Sequence, residues 1–259
     1  AAFILGTAEA LLTDDLNHTA LHQRRDHRRG GPGEIAKLAD ADALHGGEQF
    51  QQLFSLLQEK QIAFQFVPVE KLDKITRARH QGVIAMIPSV DYVSLEEGVE
   101  KAFAKKENPL FLMLDGVSDV RNFGAIARSA ECAGVDCIIL PAKGGASITP
   151  DAIKTSAGAL LRIDVCKVPN LKTAVFYLQQ SDVQIVTATE KAEGYLYDVD
   201  LTGTTAIVMG AEDKGISDAI RKLATAEAKI PMAGSIGSLN VSAAASVILY
   251  EAVRQRITK

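Results

Sequence analysis

The sequence predicts an α/β fold in which helices flank a mainly parallel sheet. The chain has 259 residues, of which 47% are hydrophobic and 23% charged, a composition typical of a chain with a buried core. In its second part, short runs that are apolar on both faces alternate with helical stretches, which is typical of parallel strands joined by helices. At ~150 residues per domain, this length favours two domains.

The strands predicted for the second part are the apolar runs at Leu110–Leu114, Val135–Leu140, Val183–Thr187 and Thr205–Met209, with a shorter run at Ala228–Ile230. Helices are predicted between them, near residues 124–133, 170–180, 217–224 and 241–256. The last helix is rich in alanine and carries Val241, Ala245 and Ile248 on one stripe. Such a stripe favours close packing against a sheet or a second subunit.

Residues 1–48 differ from the rest of the chain in amino-acid composition. Residues 1–12 predict a short strand and the start of a helix, whereas residues 13–48 contain no valine and no aromatic residue. Residues 13–48 hold four of the five histidines, four arginines between residues 24 and 29, and a Gly-Gly-Pro-Gly string at 30–33. We expect a loop here. The histidine spacings match no metal-ligand pattern, and the arginines either contact RNA phosphates or belong to a solvated loop.

Regular patterning begins at Phe50. Helical spacing of Phe50, Leu53 and Leu57 predicts a helix, and Ala63–Val67 and Val83–Ile87 read as strands. A small basic turn that contains Arg77, Arg79 and His80 separates these two strands. Residues 91–107, rich in Glu and Lys, predict a helix that links this unit to the next.

Charge and cysteine content narrow the class of protein. The formal net charge is −4, so contact with nucleic acid would have to be local. Residues 1–100 carry 10 Lys and Arg against 15 Asp and Glu, whereas residues 101–259 carry 18 against 17, so the acidity lies in the first part.

Cys132, Cys137 and Cys166 form no C-x-x-C pair, and we expect buried free thiols in a reducing compartment. No apolar stretch approaches the ~18 residues that span a bilayer, and no signal peptide is evident, so we expect a cytoplasmic protein.

Nucleotide-binding motifs are absent from the predicted sheet. A dinucleotide-binding fold would place G-x-G-x-x-G after its first strand, but Leu110–Leu114 is followed by DGVSDVRNFG. The G-x-x-x-x-G-K-[ST] pattern of a phosphate-binding loop is missing as well. A nicotinamide-dependent oxidoreductase is therefore excluded.

Three polar segments instead follow predicted strands, where open α/β sheets bind ligands. They are NFGAIAR at 122–128, GAEDKGIS at 210–217 and IPMAGSIGSLNVS at 230–242. Taken singly, each segment could be an ordinary turn or a helix cap. Their occurrence together and in this order is specific for one protein family. The three patterns are N-x-G-x-I-x-R, G-x-E-x-x-G-[IL]-S and I-P-M-x-G-x-x-x-S-L-N-V-S.

This set of motifs resembles the SpoU branch of the SPOUT RNA methyltransferases over about residues 108–257. The first part, with His80-Gln81-Gly82 before a strand, resembles the ribosomal-protein-like substrate-binding domain of bacterial 23S rRNA guanosine 2′-O-methyltransferases. The resemblance implies a smaller N-terminal α/β RNA-binding domain at residues 1–90, a linker at 91–107 and a catalytic domain at 108–259. It also implies that the mainly parallel sheet of the catalytic domain is tied into a trefoil knot, an exception to the usual absence of knots.

The family binds S-adenosylmethionine within this knot and forms homodimers around it. Carried onto this sequence, the resemblance places the methyl donor against Gly210, Ile230 and Leu239, with the strand end at Thr187–Ala188 as a weaker contact. A sulfonium already carries an activated methyl group, so no metal is expected. The partners implied are RNA and a second copy of the chain, without DNA or a membrane.

The resemblance also assigns catalytic roles. Arg128 is expected to hold the target phosphate and stabilise the developing alkoxide. Direct removal of the hydroxyl proton by Arg128 is the bolder alternative, because a free guanidinium is a poor base. Asn122 would position Arg128. The polar residues expected to orient the arginine or the ribose are Glu212, Ser238 and Asn240.

Arg77, Arg79 and His80 either grip RNA phosphates or form a solvated turn. The activity implied is methyl transfer to a ribose 2′-hydroxyl, with a guanosine of 23S rRNA as the expected acceptor. A tRNA-directed enzyme and a non-catalytic RNA-binding module of the same fold are the alternatives.

Overall fold

The computed structural model describes residues 3–5, 35–39, 48–59, 63–77, 80, 82–87 and 90–258. The chain divides into two compact units, Ala1–Asp91 and Tyr92–Lys259. Within the described residues, no helix is long and apolar enough to cross a membrane.

The described part of the first unit combines a four-stranded sheet with two helices. The elements are β1 (Phe3–Leu5), β2 (Ile35–Ala39), helix α1 (Glu48–Glu59), β3 (Ala63–Val67), helix α2 (Val69–Ile75) and β4 (Val83–Ile87). The strand order is β1-β4-β2-β3, with β2 and β3 parallel and β4 antiparallel to both of its neighbours. The helix and the two strands predicted from Phe50 onward are confirmed.

The loop expected across residues 13–48 is wrong at β2, where Ile35–Ala39 forms an inner strand. The signal was hidden because these five residues follow a stretch dense in Arg, His and Gly. Pairing on both sides, rather than a strong strand pattern of its own, holds this segment extended. The histidines and arginines of residues 18–29 lie outside the described residues.

The second unit is built on a six-stranded sheet in which all neighbouring strands are parallel. Its strands are β5 (Leu110–Asp115), β6 (Cys137–Pro141), β7 (Asp164–Val168), β8 (Gln184–Ala188), β9 (Thr205–Gly210) and β10 (Ala226–Ala228). They lie in the order β10-β8-β9-β5-β6-β7. The mainly parallel sheet predicted from the sequence is confirmed. The shortest strand lies two residues earlier than predicted.

Helices cover both faces of this sheet. They are α3 (Leu95–Lys105), α4 (Val120–Cys132), α5 (Pro150–Thr155), α6 (Leu171–Gln180), α7 (Asp218–Arg221) and α8 (Val241–Ile257). Side-chain caps at Ser94, Asp119, Thr149, Asn170 and Asn240 accept backbone N–H groups and fix where five of these helices begin.

One face of the sheet buries α3, α6 and α7 against alternate strand residues such as Phe111 and Met113. The residues between them, Leu112 and Leu114, are fully buried on the opposite face, because successive side chains of a strand alternate. There, α4 packs against both α5 and α8. A strand buried on both faces requires the uninterrupted apolar run from which β5 was predicted.

The cysteines divide between two environments. Cys137 and Cys166 are buried, with their sulfur atoms 3.1 Å apart. This contact, together with burial, raises the pKa of the Cys137 thiol well above its usual value. The expectation of buried thiols is wrong for Cys132, which is exposed at the last residue of α4.

Candidate active site

The site begins where the two central strands end side by side. Asp115 at the end of β5 pairs in register with Gly210 at the end of β9. The Asp115 carbonyl accepts from Ala211 N at 3.0 Å, and its carboxylate accepts from Ser217 N at 2.8 Å. One residue of β5 therefore holds both ends of the loop at residues 211–217.

This loop folds back tightly on Gly210. A Cβ atom built on Gly210 would overlap the backbone of Gly215 and Ile216. Gly215 itself has φ = +67°, a left-handed conformation that glycine adopts without steric cost. The two glycines of the G-x-E-x-x-G pattern therefore permit the turn that presents Glu212.

Three side chains that are distant in sequence meet beside this turn. Asn240, the N-cap of α8, donates from Nδ2 to Asn122 Oδ1 at 3.1 Å and to Glu212 Oε1 at 2.5 Å. Val241 N also donates to Glu212 Oε1, at 3.3 Å. One residue from each of the three motifs thus takes part in a single hydrogen-bonded cluster, which we call the Asn-Glu-Asn cluster (Asn122, Glu212 and Asn240).

Packing between helices holds Asn122 at the cluster. Its backbone N–H donates to Asp119 Oδ1 at 2.7 Å, in the first turn of α4. Further along α4, the hydroxyl oxygens of Ser129 and Ser246 lie 2.8 Å apart and join this helix to α8. The motif glycine Gly124 lies where α5 approaches most closely, since a Cβ there would come within 2.8 Å of Ala152 O.

A cavity of about 340 Å³ opens beside the cluster, at the carboxyl edge of the sheet. This volume falls within the ~300–1,000 Å³ typical of small-molecule sites. Its walls come from the ends of β8, β9 and β10 and from the segment before α8. They include Ala188, Thr189, Glu190, Met209, Gly210, Glu212, Ile230, Met232, Ser238, Leu239 and Asn240.

The lining suits a ligand with an apolar ring and polar edges. Ile230, Leu239 and Ile248 supply apolar surface, while Glu190 and Glu212 contribute carboxylates. The segment at residues 231–239 is exposed and makes no hydrogen bond with other described residues. Its backbone N–H and C=O groups are therefore available to a ligand. This combination fits an adenosine-containing cofactor held largely by main-chain groups.

The predicted site residues have different surroundings. Gly210, Ile230, Leu239 and Ser238 line the cavity, whereas Thr187 does not. Thr187 is fully buried, and its hydroxyl donates toward Ala226 O and Glu227 Oε1 of β10. Ala188, the other residue of the predicted strand end, does line the cavity, together with Thr189 and Glu190.

Arg128 lies on an exposed side of α4 and is not among the cavity residues. Asn122 and Arg128 are six positions apart, which places them about 120° apart around a helix with 3.6 residues per turn. The guanidinium has no ion pair or hydrogen bond with another described residue, so its charge is available to a ligand.

The basic turn of the first unit is described only in part. Arg77 is exposed, and Arg79 lies outside the described residues. His80 is buried: its Nε2 lies 3.0 Å from Asp73 Oδ1, and its Nδ1 accepts from Gly82 N at 3.0 Å. Both ring nitrogens are therefore engaged, one with a side chain of α2 and the other with the backbone of the turn.

Asp115 was missed in the sequence. The available signal was an acidic residue followed by a glycine at the end of an apolar run. In the structure, that glycine, Gly116, turns the chain with φ = +82°.

Across the residues that the structure describes, no group of three or more His, Cys, Asp or Glu could hold a metal ion.

A parallel α/β domain with a cavity and a polar cluster at the carboxyl edge of its strands belongs to the class of ligand-binding α/β enzymes. Comparison with known proteins identifies the family. Residues 109–250 match the SpoU rRNA methylase family, and residues 34–93 match the RNA 2′-O ribose methyltransferase substrate-binding domain. The chain belongs to the SpoU rRNA methylase family. It is an RNA 2′-O-ribose methyltransferase that uses S-adenosylmethionine as methyl donor.

Individual relatives agree with this assignment. The chain is 38% identical to the 23S rRNA (guanosine-2′-O-)-methyltransferase RlmB of Vibrio vulnificus, over 82% of this chain and 87% of the relative. It is equally similar to RlmB of Haemophilus influenzae, over 85% and 91%. The SpoU methyltransferase AviRb of Streptomyces viridochromogenes, solved in complex with AdoMet, shares the fold with a TM-score of 0.74 at 23% identity, over 99% of this chain and 91% of that chain.

Proposed function

We propose that this protein transfers a methyl group from S-adenosylmethionine to the ribose 2′-hydroxyl of a guanosine in 23S rRNA. The observation that carries the proposal is the Asn-Glu-Asn cluster at the mouth of a cofactor-sized cavity. The choice of 23S rRNA rests on the RlmB relatives, which cover most of both chains. A ribose 2′-hydroxyl distinguishes RNA from DNA.

Gly210, Ile230 and Leu239 would hold the methyl donor, with Ala188 of the strand end as a further contact and Thr189 and Glu190 beside it. When bound, the donor supplies a methyl group on a positively charged sulfur, ready for transfer to an oxygen nucleophile. The protein must therefore place the 2′-hydroxyl about 3 Å from that methyl and manage the hydroxyl proton.

Arg128 would bind the target phosphate and stabilise negative charge on the ribose oxygen. A guanidinium stays charged in proteins, so electrostatic stabilisation suits it better than proton removal. Asn122, Glu212, Ser238 and Asn240 would orient the ribose through hydrogen bonds. Their place beside the cavity supports this division of roles.

The first unit would bind the RNA. Arg77 is the described member of the basic turn that is free for a phosphate, and Arg79 completes the proposed pair. His80 would act indirectly, because its bonds to Asp73 and Gly82 shape the turn. Changing both arginines to alanine is expected to weaken RNA binding and to flatten its dependence on salt. Unchanged affinity and salt slope would remove the turn from the RNA interface.

We further propose that residues 108–259 form the catalytic domain and are tied in a trefoil knot. Strand β9 lies between β8 and β5, and the segment before α8 returns to a cavity walled by the loops that follow β8 and β9. Such a return supports threading of the last segment between those loops. Residues 1–90 would form the RNA-binding domain, and the linker at 91–107 contains α3, whose Leu95 and Val99 are buried in the core of the second unit.

The direct test is to incubate the protein with labelled methyl donor and total RNA, and then to map the label. The proposal predicts one guanosine in 23S rRNA whose ribose resists alkaline cleavage. Label found in tRNA alone would show that the protein is the tRNA-directed enzyme instead. Absence of transfer, together with no binding of S-adenosylmethionine by calorimetry, would support the non-catalytic module instead.

A further inference from the structure

A backbone N–H group determines which atom of the Asn240 side-chain amide accepts and which donates in the Asn-Glu-Asn cluster. A backbone N–H can only donate, and Ser242 N lies 3.0 Å from Asn240 Oδ1. The Oδ1 atom must therefore be the acceptor of this side chain. Its Nδ2 group then faces Asn122 and Glu212, as the distances of 3.1 and 2.5 Å require.

This orientation determines what the other two members present. Asn122 uses its Oδ1 atom as an acceptor, which leaves both N–H bonds of its Nδ2 group without a partner among the described residues. Glu212 Oε1 accepts from Asn240 Nδ2 and from Val241 N, so that oxygen carries no proton. The other oxygen, Oε2, has no partner within the described chain. The cluster thus offers one donor group, the Asn122 amide nitrogen, and one acceptor, Glu212 Oε2.

The Ser242 hydroxyl supplies a second donor to the same amide oxygen. Ser242 Oγ lies 2.6 Å from Asn240 Oδ1, and because that oxygen only accepts, the hydroxyl must donate. Asn240 is exposed, so water competes for its amide. If the amide were reversed, its N–H bonds would face the Ser242 backbone N–H, and the hydroxyl would have to give up donating and turn to accept.

We propose that Ser242 is a positioning residue that fixes the orientation of the Asn240 amide and, through it, the donor and acceptor that Asn122 and Glu212 present to the ribose. This inference rests on the proposed function. A 2′-hydroxyl both donates and accepts, so it matches a site that offers one group of each kind. Reversal of the Asn240 amide would set its oxygen against the Glu212 carboxylate and disturb both groups.

The test compares Ser242→Ala and Ser242→Thr in the full-length protein, with a 23S rRNA fragment as substrate. Loss of one hydrogen bond predicts that Ser242→Ala lowers kcat about fivefold while leaving the Kd for S-adenosylmethionine unchanged. Threonine retains the hydroxyl and is expected to restore kcat. Ser181→Ala is the matched control: its hydroxyl donates to the Tyr177 carbonyl at the end of α6, on the face of the sheet opposite α4 and α8. It is expected to keep the wild-type kcat.

A double-mutant cycle separates positioning from simple packing. In an Asn240→Ala background, Ser242→Ala is expected to have no further effect on kcat, because the amide that it orients is gone. Wild-type kcat in Ser242→Ala, failure of threonine to restore it, or a multiplicative loss in the Asn240→Ala background would each overturn the inference.

A second readout does not depend on catalysis. In NMR spectra, the Asn240 side-chain amide resonances are expected to shift in Ser242→Ala and to return toward wild type in Ser242→Thr. Unchanged resonances in Ser242→Ala would contradict the positioning role even if the enzyme is active. If the resonances shift as expected but the protein transfers no methyl group, the positioning role of Ser242 stands and the proposed function is wrong.

Discussion

Asn240 combines a structural role with a role at the site. As the N-cap of α8 it accepts from Ser242 N, and through Nδ2 it joins Asn122 to Glu212. A serine at this position would retain the cap but could not bridge the other two side chains. The structural and functional contributions of this residue can therefore be separated by substitution.

Asn240→Ser is expected to keep the thermal midpoint near that of the wild type and to lower kcat by about a hundredfold. Serine is an efficient helix cap, whereas the two hydrogen bonds from the amide nitrogen are lost. Thermal unfolding monitored by circular dichroism and single-turnover methyl transfer measure the two effects. A large fall in the midpoint with proportionate loss of activity would instead show that the residue is mainly structural.

Arg128→Ala tests the proposed catalytic group that lies on an exposed side of α4, outside the cavity. Because the guanidinium is exposed and unpaired among the described residues, stability and S-adenosylmethionine binding should be unchanged. Methyl transfer should fall at least about a hundredfold, since stabilisation of the developing charge is lost. Arg121→Ala, at another exposed arginine of α4, is the control and should remain active. Near-wild-type activity of Arg128→Ala would remove this residue from the mechanism.

At the scale of elements, the apolar pattern identified the central strands and missed an edge strand. β5 and β9 are buried on both faces and carry continuous apolar runs, so they were readable in the sequence. β7 has the pattern Asp-Val-Cys-Lys-Val and lies at the edge of the sheet, where mixed polarity is tolerated. The short helix α5 was missed too, since six residues carry little periodicity.

An ion pair ties α7 to β10, directly under the cavity wall formed by Ala228 and Ile230. Arg221 donates from Nε and Nη2 to the two oxygens of Glu227, each at 2.8 Å. These bonds lower the pKa of Glu227, with the nearby positive charge as a smaller cause. A carboxylate whose pKa falls on folding stabilises the native state above the unfolded-state pKa and loses that contribution as pH falls.

Glu227→Gln is therefore expected to lower the urea midpoint at pH ~7 and to lower it by less at pH ~3, because the contribution of a carboxylate whose pKa is lowered on folding is lost as pH falls. Urea titrations of both proteins at the two pH values measure this. Glu193→Gln serves as control, because that side chain is exposed and has no partner among the described residues. An equal destabilisation at both pH values would show that packing rather than charge holds this contact.

The C-terminal end of α8 is bonded to the segments that precede the two central strands of the second unit. The Arg256 guanidinium donates to the carbonyls of Leu201, Gly203 and Asn108 at 2.8 to 3.0 Å. These carbonyls belong to the segments that precede β9 and β5. Arg256 thereby attaches the C-terminal helix to the amino edge of the sheet, opposite the cavity.

Arg256→Ala is expected to reduce the free energy of unfolding by about 2 kcal/mol, because three carbonyls lose a charged donor. Equilibrium urea unfolding measures the change. Lys143→Ala, at an exposed position without a described partner, should leave it unaltered. A loss below about 0.5 kcal/mol in Arg256→Ala would mean that water replaces the guanidinium at little cost.

We propose that two copies of the chain associate through the catalytic domain. The alanine-rich helix α8 and its half-exposed Tyr250 support this proposal, because a small-residue face permits close helix packing. Light scattering at micromolar concentration should give twice the chain mass of 27.7 kDa. A mass near that of one chain would contradict the proposal.

The convergence of the site is a property of the whole molecule. Asn122 and Asn240 are 118 positions apart, and periodicity alone gives no reason for them to touch. Their placement after parallel strands predicted a shared edge, and the family resemblance supplied the partners. Neither could reveal that Asp115 fastens both ends of the Glu212 loop, since that contact depends on register between β5 and β9.

The central claim is that the cavity beside the Asn-Glu-Asn cluster binds the methyl donor. Calorimetric titration of S-adenosylmethionine into the wild type, Gly210→Ala and Gly203→Ala tests it most directly. A Cβ at Gly210 would overlap the backbone of the Glu212 loop, whereas a Cβ at Gly203 meets nothing within 4 Å. We expect binding by the wild type and Gly203→Ala, and a loss of at least tenfold in affinity for Gly210→Ala. Equal affinities for all three proteins would contradict the account.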